Sequence, residues 1–429
     1  MNIYLKALGC RLNEAELEGW AREFQGAGHT LVNQVEDAQL TVLNTCAVTR
    51  EAVRKSRKTI NRLRRENPTG KLVVSGCFVS TGEARSAADL GVDMLIDNQH
   101  KGSLVAKVTQ RWQIPIMPEG ATLPNESALF ARNRQRAFIK IQDGCRYRCS
   151  YCIVTVARGD ENSRSVKEII EQINALHDSG VQEAVLTGVH VGGYGSDIGS
   201  NLTTLVKEIL NETSIPRIRF ASVEPWDLGD QFFELFDNHR LMPHMHLPIQ
   251  SGSDTVLRRM SRRCHTNEFA GLVDQARKQH PGFNITTDII VGFPGESSDE
   301  WQETIAFVKS VGFGHIHIFS YSPRAGTKAA GMGNQIDDTI KKQRSVELHQ
   351  LAKQQKLDYL QQQIGTTANV LWESKTNDYH FGYTENYTRV AVQAGNNNVE
   401  NMITSCRLEH VSADSNNHLI ATLHKPQHL

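Results

Sequence analysis

Cys145-Arg-Tyr-Arg-Cys149-Ser-Tyr-Cys152 sets three thiols in a C-x3-C-x2-C pattern, just after a short apolar stretch, Ala137-Phe-Ile-Lys-Ile. Thiolates this close in sequence converge readily on one soft metal centre, and three is one fewer than a cubane iron–sulfur cluster takes. A cluster held this way keeps one iron open, and the open iron is where chemistry is expected. Zinc is the rival occupant. A zinc knuckle, however, needs a fourth cysteine or histidine nearby, and none stands at the usual spacing.

Cys10, Cys46 and Cys77 are far apart in sequence and alike in context. Each follows an apolar run within two residues: Tyr4-Leu-Lys-Ala-Leu-Gly-Cys10, Thr41-Val-Leu-Asn-Thr-Cys46 and Lys71-Leu-Val-Val-Ser-Gly-Cys77. In an open parallel sheet the carboxyl ends of neighbouring strands share one ligand-binding edge. Three cysteines on that edge can reach a common point despite spacers of 35 and 30 residues. The shared register predicts a second cluster rather than three buried small hydrophobes. Cys264 and Cys406 belong to neither set and read as structural.

Other segments are suited to hold a cofactor. Leu186-Thr-Gly188-Val-His-Val-Gly-Gly-Tyr-Gly runs from a strand end into a glycine-rich loop, where backbone can approach the amino-acid portion of a ligand. His246-Leu-Pro-Ile-Gln250-Ser-Gly-Ser puts polar side chains at another strand end. Thr287-Asp288-Ile-Ile-Val-Gly292-Phe-Pro-Gly-Glu is a buried strand ending in a turn fit to line an adenine pocket. Tyr151, wedged between two of the cysteines, can pack near the same ring.

These groups need a scaffold. The first hundred residues alternate apolar runs (Ile3–Leu8, Leu40–Leu43, Leu72–Val74) with helical patterns at about Asn13–Ala27 and Thr49–Glu66, a doubly wound α/β arrangement. Residues 113–132, with three prolines, read as a linker. From 133 to 363 six strand candidates recur: Phe138–Ile141, Ala184–Leu186, Arg217–Ala221, His244–Leu247, Ile285–Val291 and His315–Ser320. Helical stretches separate them, and a long polar helix follows at Asp337–Gln363. Six strand–helix repeats curl into a partial parallel (β/α)6 barrel with its active groups at the strand carboxyl ends. Residues 364–429 alternate with period two, as in a small antiparallel β domain. The parts are therefore 1–112, 113–132, 133–363 and 364–429.

The chain has 429 residues, 39% of them apolar and 22% charged, enough for several ordinary cores. No apolar run approaches a membrane span. Met1-Asn-Ile-Tyr-Leu-Lys reads as a strand rather than a signal peptide, and sparse cysteine fits a reducing cytoplasm. The formal net charge is zero, so nucleic-acid contact must come from local patches. Arg50–Glu66 is such a patch, with eight basic and two acidic residues on a helix whose Ala52, Val53, Ile60 and Leu63 can face a core. Residues 366–429 carry four basic and six acidic residues, a poor electrostatic match for an RNA clamp, although Tyr383, Asn386, Tyr387 and Arg389 could hold a nucleotide.

The triplet within Ile141-Gln-Asp-Gly-Cys145 to Cys152, followed by Ala157-Arg-Gly and Ser163-Arg-Ser, resembles the core of the radical S-adenosylmethionine enzymes. Together with Cys10, Cys46 and Cys77 it resembles their methylthiotransferase branch over nearly the whole chain, with a terminal β domain of the TRAM type. Asn44-Thr-Cys46-Ala-Val-Thr-Arg-Glu-Ala-Val-Arg-Lys-Ser-Arg is similar to members acting on N6-threonylcarbamoyladenosine at position 37 of tRNA. Siblings act on isopentenyladenosine in tRNA or on a ribosomal-protein aspartate, and a non-enzymatic metal-holding RNA-binding protein is the remaining alternative. The chain departs from the pattern at Val154-Thr-Val, where a proline-containing stretch is common, at Cys264, where an aromatic residue is usual, and in its weakly acidic tail.

The resemblance implies two 4Fe-4S clusters, one on Cys145, Cys149 and Cys152 that binds S-adenosylmethionine and one on Cys10, Cys46 and Cys77 that supplies sulfur, and two S-adenosylmethionine molecules, one methylating that sulfur and one giving the radical. It implies a 5′-deoxyadenosyl radical that takes the hydrogen from carbon 2 of the adenine. S-adenosylmethionine contacts are expected from Tyr151, Gly188, Gln250, Asp288 and Gly292. The implied partners are a tRNA anticodon stem-loop on the basic helix 50–66, with the C-terminal domain as a second candidate surface, and an electron donor such as flavodoxin or ferredoxin. No membrane partner is implied.

Overall fold

Leu40-Thr-Val-Leu-Asn-Thr is buried at every position, the pattern of a strand covered on both faces. In the computed structural model, which describes residues 1–84, 86–113, 135–229, 231–376, 378–394, 398–414 and 417–424, this segment is the central strand of a five-stranded sheet. The sheet comprises β1 (Asn2–Ala7), β2 (Thr30–Leu31), β3 (Leu40–Thr45), β4 (Lys71–Gly76) and β5 (Met94–Ile96). All strands are parallel, in the order β2-β1-β3-β4-β5. Helix α1 (Arg11–Gly26) buries Leu17, Trp20 and Phe24 with Ile3, Leu40 and Val73 on one face. Helix α2 (Arg50–Glu66) buries Ile60 and Leu63 with Leu43 and Val74 on the other. The doubly wound expectation is met.

The second unit is built on β6 (Arg136–Lys140), β9 (Glu183–Thr187), β10 (Arg217–Phe220), β11 (His244–His246), β12 (Asn284–Val291) and β13 (His315–Ser320). A short antiparallel pair, β7 (Gln142–Asp143) and β8 (Asn162–Ser163), brackets the cysteine loop. Strands β6, β9 and β10 pair in parallel, as do β11, β12 and β13. Bridges Ile218↔Leu241 and Ser222↔His246 join the two halves into one curved wall. Among the described residues β13 and β6 do not pair, so the barrel is open along β13. One expectation changes here: the crossover from β10 to β11 is a 3₁₀ segment, Phe232–Asp237, not an α-helix. Phe232, Phe233 and Phe236 pack there with Phe283 in the core instead of a helical stripe.

The polar helix Asp338–Gln361 packs along β13 and leads into β14 (Thr367–Thr376), β15 (Tyr379–Thr384), β16 (Arg389–Gln393), β17 (Ile403–Val411) and β18 (Leu419–Leu423). These close a small barrel in the order β14-β15-β16-β18-β17 around Trp372. The barrel is not wholly antiparallel as expected, because β16 and β18 run parallel. It docks on the amino ends of the large barrel's strands. Arg136 donates to Glu373 (2.8 Å) and Tyr387 (3.1 Å), and Arg217 donates to the carbonyls of Asn369 (2.8 Å) and Tyr383 (3.0 Å). Residues 114–132 of the expected linker lie outside the described residues. Among the described residues no helix is long and apolar enough to cross a membrane.

Candidate active site

Strands β1, β3 and β4 are adjacent and parallel, so their carboxyl ends must lie side by side. Cys10 follows β1 as the residue before α1, Cys46 follows β3 directly, and Cys77 opens the short helix α3 (Cys77–Ser80) after β4. The three thiols sense one another. Burial pushes the Cys46 thiol up to about 11, and charge on Cys10 or Cys77 pushes it the same way. Gly9 makes the approach possible: at φ +93°, a Cβ there would sit 2.5 Å from that of Cys46.

Cys145, Cys149 and Cys152 lie in the loop between β7 and β8. The Cys145 amide donates to the Gly159 carbonyl (3.0 Å) and the Val154 amide to Cys152 Sγ (3.4 Å). Arg262 Nη1 approaches Cys149 Sγ at 3.9 Å. Burial raises the Cys145 and Cys152 thiols to about 12 and about 11, and the neighbouring cysteines add to both shifts.

Both sets suit cubane clusters. Among the described residues, the group whose ligand atoms all lie within 4.8 Å is His190, Glu224 and Asp227, not either cysteine trio. The donors of one zinc ion crowd closer than that, whereas a cubane spreads its thiolates over three irons. A second fit concerns a cation. Glu224 Oε2 is buried, has no hydrogen-bond partner, and stands 3.8 Å from His190 Nε2. Its charge is felt by both Cys145 and Cys152. Burial raises this carboxyl despite His190 and Arg262, so an ammonium group placed beside it would supply the missing partner.

The sequence-predicted contacts fall as follows. Tyr151 is half-buried and packs against Val256, Met260, Ile290, Phe293, Tyr321 and Ala329. Gly188 lies in a loop tied to the cysteine segment, because Gln142 Oε1 accepts from the amides of Val189 (3.1 Å) and His190 (2.9 Å). Gln250 has φ +82° and is laced to β12 through Asp288 and Ile290. A non-glycine residue in that region is strained, a cost that tends to be kept at functional positions. Asp288 faces the barrel lumen and pairs with His246 at 3.1 Å. Gly292 serves the turn itself. Its amide donates to Glu296 (2.9 Å), which holds Arg344 at 2.6 Å, and a Cβ would strike Lys341.

Sequence reading missed two networks. Arg158, six residues beyond Cys152, is buried and bonded to Asp143 (2.8 Å), Glu16 (2.9 Å) and Asn13 (2.8 Å). Glu16 also holds Lys101 at 2.5 Å. Asn98 Nδ2 donates to the Ala157 carbonyl at 2.7 Å and reaches Cys77 Sγ at 3.5 Å, so the two cysteine sites share one packed wall. Arg158 holds positive charge beside Cys10 and Cys46, which favours thiolate there. The second network centres on His190, with Glu161 at 2.5 Å and Asp227 at 2.6 Å. In sequence, Ala157-Arg-Gly is the signal of the first network and Val-His190-Val that of the second.

The tail residues singled out in the sequence lie where the two barrels meet, and Tyr383, Tyr387 and Arg389 line a cavity there. Tyr383 stacks on Tyr387 at 4.6 Å, and Arg136 and Arg219 lie over these rings at 4.6 and 4.7 Å. Asn386 bonds Gln363, Asn284 and Gly282. These groups fasten the small barrel to the large one.

Comparison with known proteins agrees with this geometry. The profile of the Radical SAM superfamily matches residues 139–308, and that described as Uncharacterized protein family UPF0004 matches residues 2–97. The chain is 35% identical to the threonylcarbamoyladenosine tRNA methylthiotransferase MtaB of Bacillus subtilis, covering 90% of this chain and 89% of the relative. It is 33% identical to the tRNA-2-methylthio-N(6)-dimethylallyladenosine synthase of Ehrlichia chaffeensis, covering 87% and 88%. The fold is shared with the radical S-adenosylmethionine methyltransferase TsrM of Kitasatospora setae, solved with cobalamin and a [4Fe-4S] cluster, at a TM-score of 0.57, 13% identity and 77% coverage of each chain. With both halves of its sequence matched and such relatives spanning nearly its whole length, the chain belongs to the radical S-adenosylmethionine methylthiotransferase family.

Proposed function

We propose that this chain is a tRNA methylthiotransferase that replaces the hydrogen on carbon 2 of N6-threonylcarbamoyladenosine, at position 37, with a methylthio group. The observation that carries it is the pair of cysteine trios on one packed wall, each one thiolate short of the four that a cubane takes. When bound, the clusters with S-adenosylmethionine supply radical chemistry at an unreactive C–H bond and the sulfur to be inserted. Cys145, Cys149 and Cys152 would hold one 4Fe-4S cluster, and Cys10, Cys46 and Cys77 the other.

The protein's own groups bind, orient and shield. Glu224, which has His190 at 3.8 Å but no hydrogen-bond partner for Oε2, offers that oxygen to the cofactor's ammonium. Tyr151 brings apolar surface, Gly188 close backbone, and Gln250 and Asp288 polar lumen groups. Gly292 shapes the turn beside them. Cys46 and Cys77 are buried, Cys145, Cys149 and Cys152 half-buried and Cys10 exposed, so bound cofactor and substrate would complete the shielding of reactive species from water, and positioning rather than acid–base chemistry sets the rate.

Helix α2 lays Arg54, Lys55, Lys58 and Arg62 along a groove of about 670 Å³, a surface for RNA phosphates. The electron donor is a small reducing protein such as flavodoxin or ferredoxin, and the working division is 1–112, 113–132, 133–363 and 364–429. The threonylcarbamoyl substrate is favoured by the names of the relatives at 35% identity and by the Asn44–Arg57 segment. The dimethylallyl (isopentenyl) substrate is the second reading, favoured by the Ehrlichia relatives. Mass spectrometry of tRNA nucleosides from cells with and without the protein separates them. Loss of the methylthio form of threonylcarbamoyladenosine alone supports the first reading, and loss of the isopentenyl form alone supports the second.

A further inference from the structure

Strand β13 borders the open side of the large barrel, and its burial alternates. Ile316 is buried, whereas His315, His317 and Phe319 are open to a cavity of about 880 Å³. A period of two sets these three rings in a row on one face. His315 and His317 lie 4.6 Å apart between ring centres, and His246 of β11 stands 5.4 Å from His317. The cavity walls and positive neighbours lower both imidazoles, His315 to about 4, although both rings keep an open face.

The row leads somewhere specific. The cavity reaches Cys10 and Arg11 at one end, and Cys10 and Phe319 also line an adjoining cleft of about 1240 Å³ that opens beside Arg50. The row therefore runs along β13 to its Phe319 end, where Cys10 and Arg50 line the same cleft. The charged lining is uneven. Asp288 is paired with His246, and Arg136 and Arg219 face Glu373 and Glu183. Arg11 lies over the Phe138 ring at 5.1 Å, with Glu14 no closer than 4.0 Å, and its side chain is 58% exposed.

We propose that this face seats a purine nucleoside extruded from RNA, its base against Phe319 and the histidine row, with Arg11 reading a carboxylate carried on the exocyclic amine. Chemistry on a base requires its extrusion, and unstacked RNA bases settle on aromatic side chains. Carbon 2 and the exocyclic amine share the base's Watson–Crick edge. A base entering edge-first brings both toward Cys10 and Arg11 and leaves its phosphates outside, on α2. A guanidinium donates two parallel hydrogen bonds to a carboxylate, and a prenyl group offers it no acceptor. The inference rests on the tRNA reading above and narrows it to the group that selects the substrate.

The test measures binding of anticodon stem-loop RNAs to the cluster-loaded protein, with threonylcarbamoyladenosine, its neutral threonine-amide analogue or isopentenyladenosine at the target position. The wild type is expected to prefer the carboxylate over the amide by about tenfold or more. Arg11→Gln removes that preference without changing affinity for the amide, and Arg11→Lys keeps part of it. Phe319→Ala weakens all three RNAs alike by about tenfold. A preference that survives Arg11→Gln overturns the role of Arg11, and wild-type affinity in Phe319→Ala overturns the ring row. Tighter binding of the isopentenyl RNA than of the carboxylate RNA overturns the substrate reading instead, with the Phe319 result still deciding the row.

Discussion

Arg158 Nη2 donates to Asn13 Oδ1 at 2.8 Å. Asn13 lies three residues past Cys10, so this bond fastens the segment after one cysteine triplet to the helix that follows the first cysteine of the other. The same guanidinium is held by Glu16 and Asp143. The relative position of the two cluster sites is thus fixed by a buried charge network rather than by apolar packing alone. Removing one member of such a network strands its partners and costs about 3–5 kcal/mol. Glu16→Ala and Arg158→Ala should each lower unfolding free energy by roughly that amount in urea titrations. A loss below about 1 kcal/mol would mean the network is solvated and does not brace the sites.

The His190 network gives a pH dependence of definite sign. Burial alone would lower this imidazole, but Asp227, Glu224 and Glu161 raise it to about 9. The stabilisation is therefore complete below the unfolded value of about 6.5 and fades as pH rises through about 9. Its size is at most about 3 kcal/mol. Denaturation midpoints should fall between pH 7 and pH 10 in the wild type and fall less in His190→Gln. Parallel pH profiles for the two would refute a charged His190.

Substituting one cysteine from each trio separates their duties. Cys149→Ala should drop iron from about eight to about four per chain and abolish 5′-deoxyadenosine formation. Cys46→Ala should lose a similar share of iron, still form 5′-deoxyadenosine, and make no methylthiolated product. Methylthiolated product from Cys46→Ala would remove the second trio from the reaction.

Much of this was legible in sequence for a physical reason. A parallel strand buried on both faces is a continuous apolar run, so its carboxyl end can be read to within a residue, and Cys46 and Cys77 stand there. The charged braces were not legible. Arg136 meets Tyr387 across 251 residues, and nothing local marks either as a partner. Nor could sequence show that Arg136 and Arg219, which lie over the stacked Tyr383 and Tyr387 rings, come from another unit. The β10–β11 crossover failed as a helix because its phenylalanines are spaced for a core plug. The Arg158 brace hid in a three-residue motif whose meaning depends on Glu16, far upstream.

Gln250 carries its own test. At φ +82° it bears a left-handed backbone that glycine adopts freely, so Gln250→Gly should raise stability by about 1 kcal/mol. If its side chain serves the cofactor, S-adenosylmethionine binding weakens in the same variant. Higher stability with unchanged cofactor affinity would make the residue purely structural.

The central claim is that two open-iron cluster sites act together on one tRNA adenosine. The most direct measurement incubates the cluster-loaded protein with S-adenosylmethionine, a reductant and tRNA bearing N6-threonylcarbamoyladenosine, followed by mass spectrometry of the released nucleosides. The wild type is expected to form the 2-methylthio derivative of that nucleoside, and Cys46→Ala and Cys149→Ala to form none. Cofactor cleavage by the wild type with no methylthiolated nucleoside from any tRNA would contradict it.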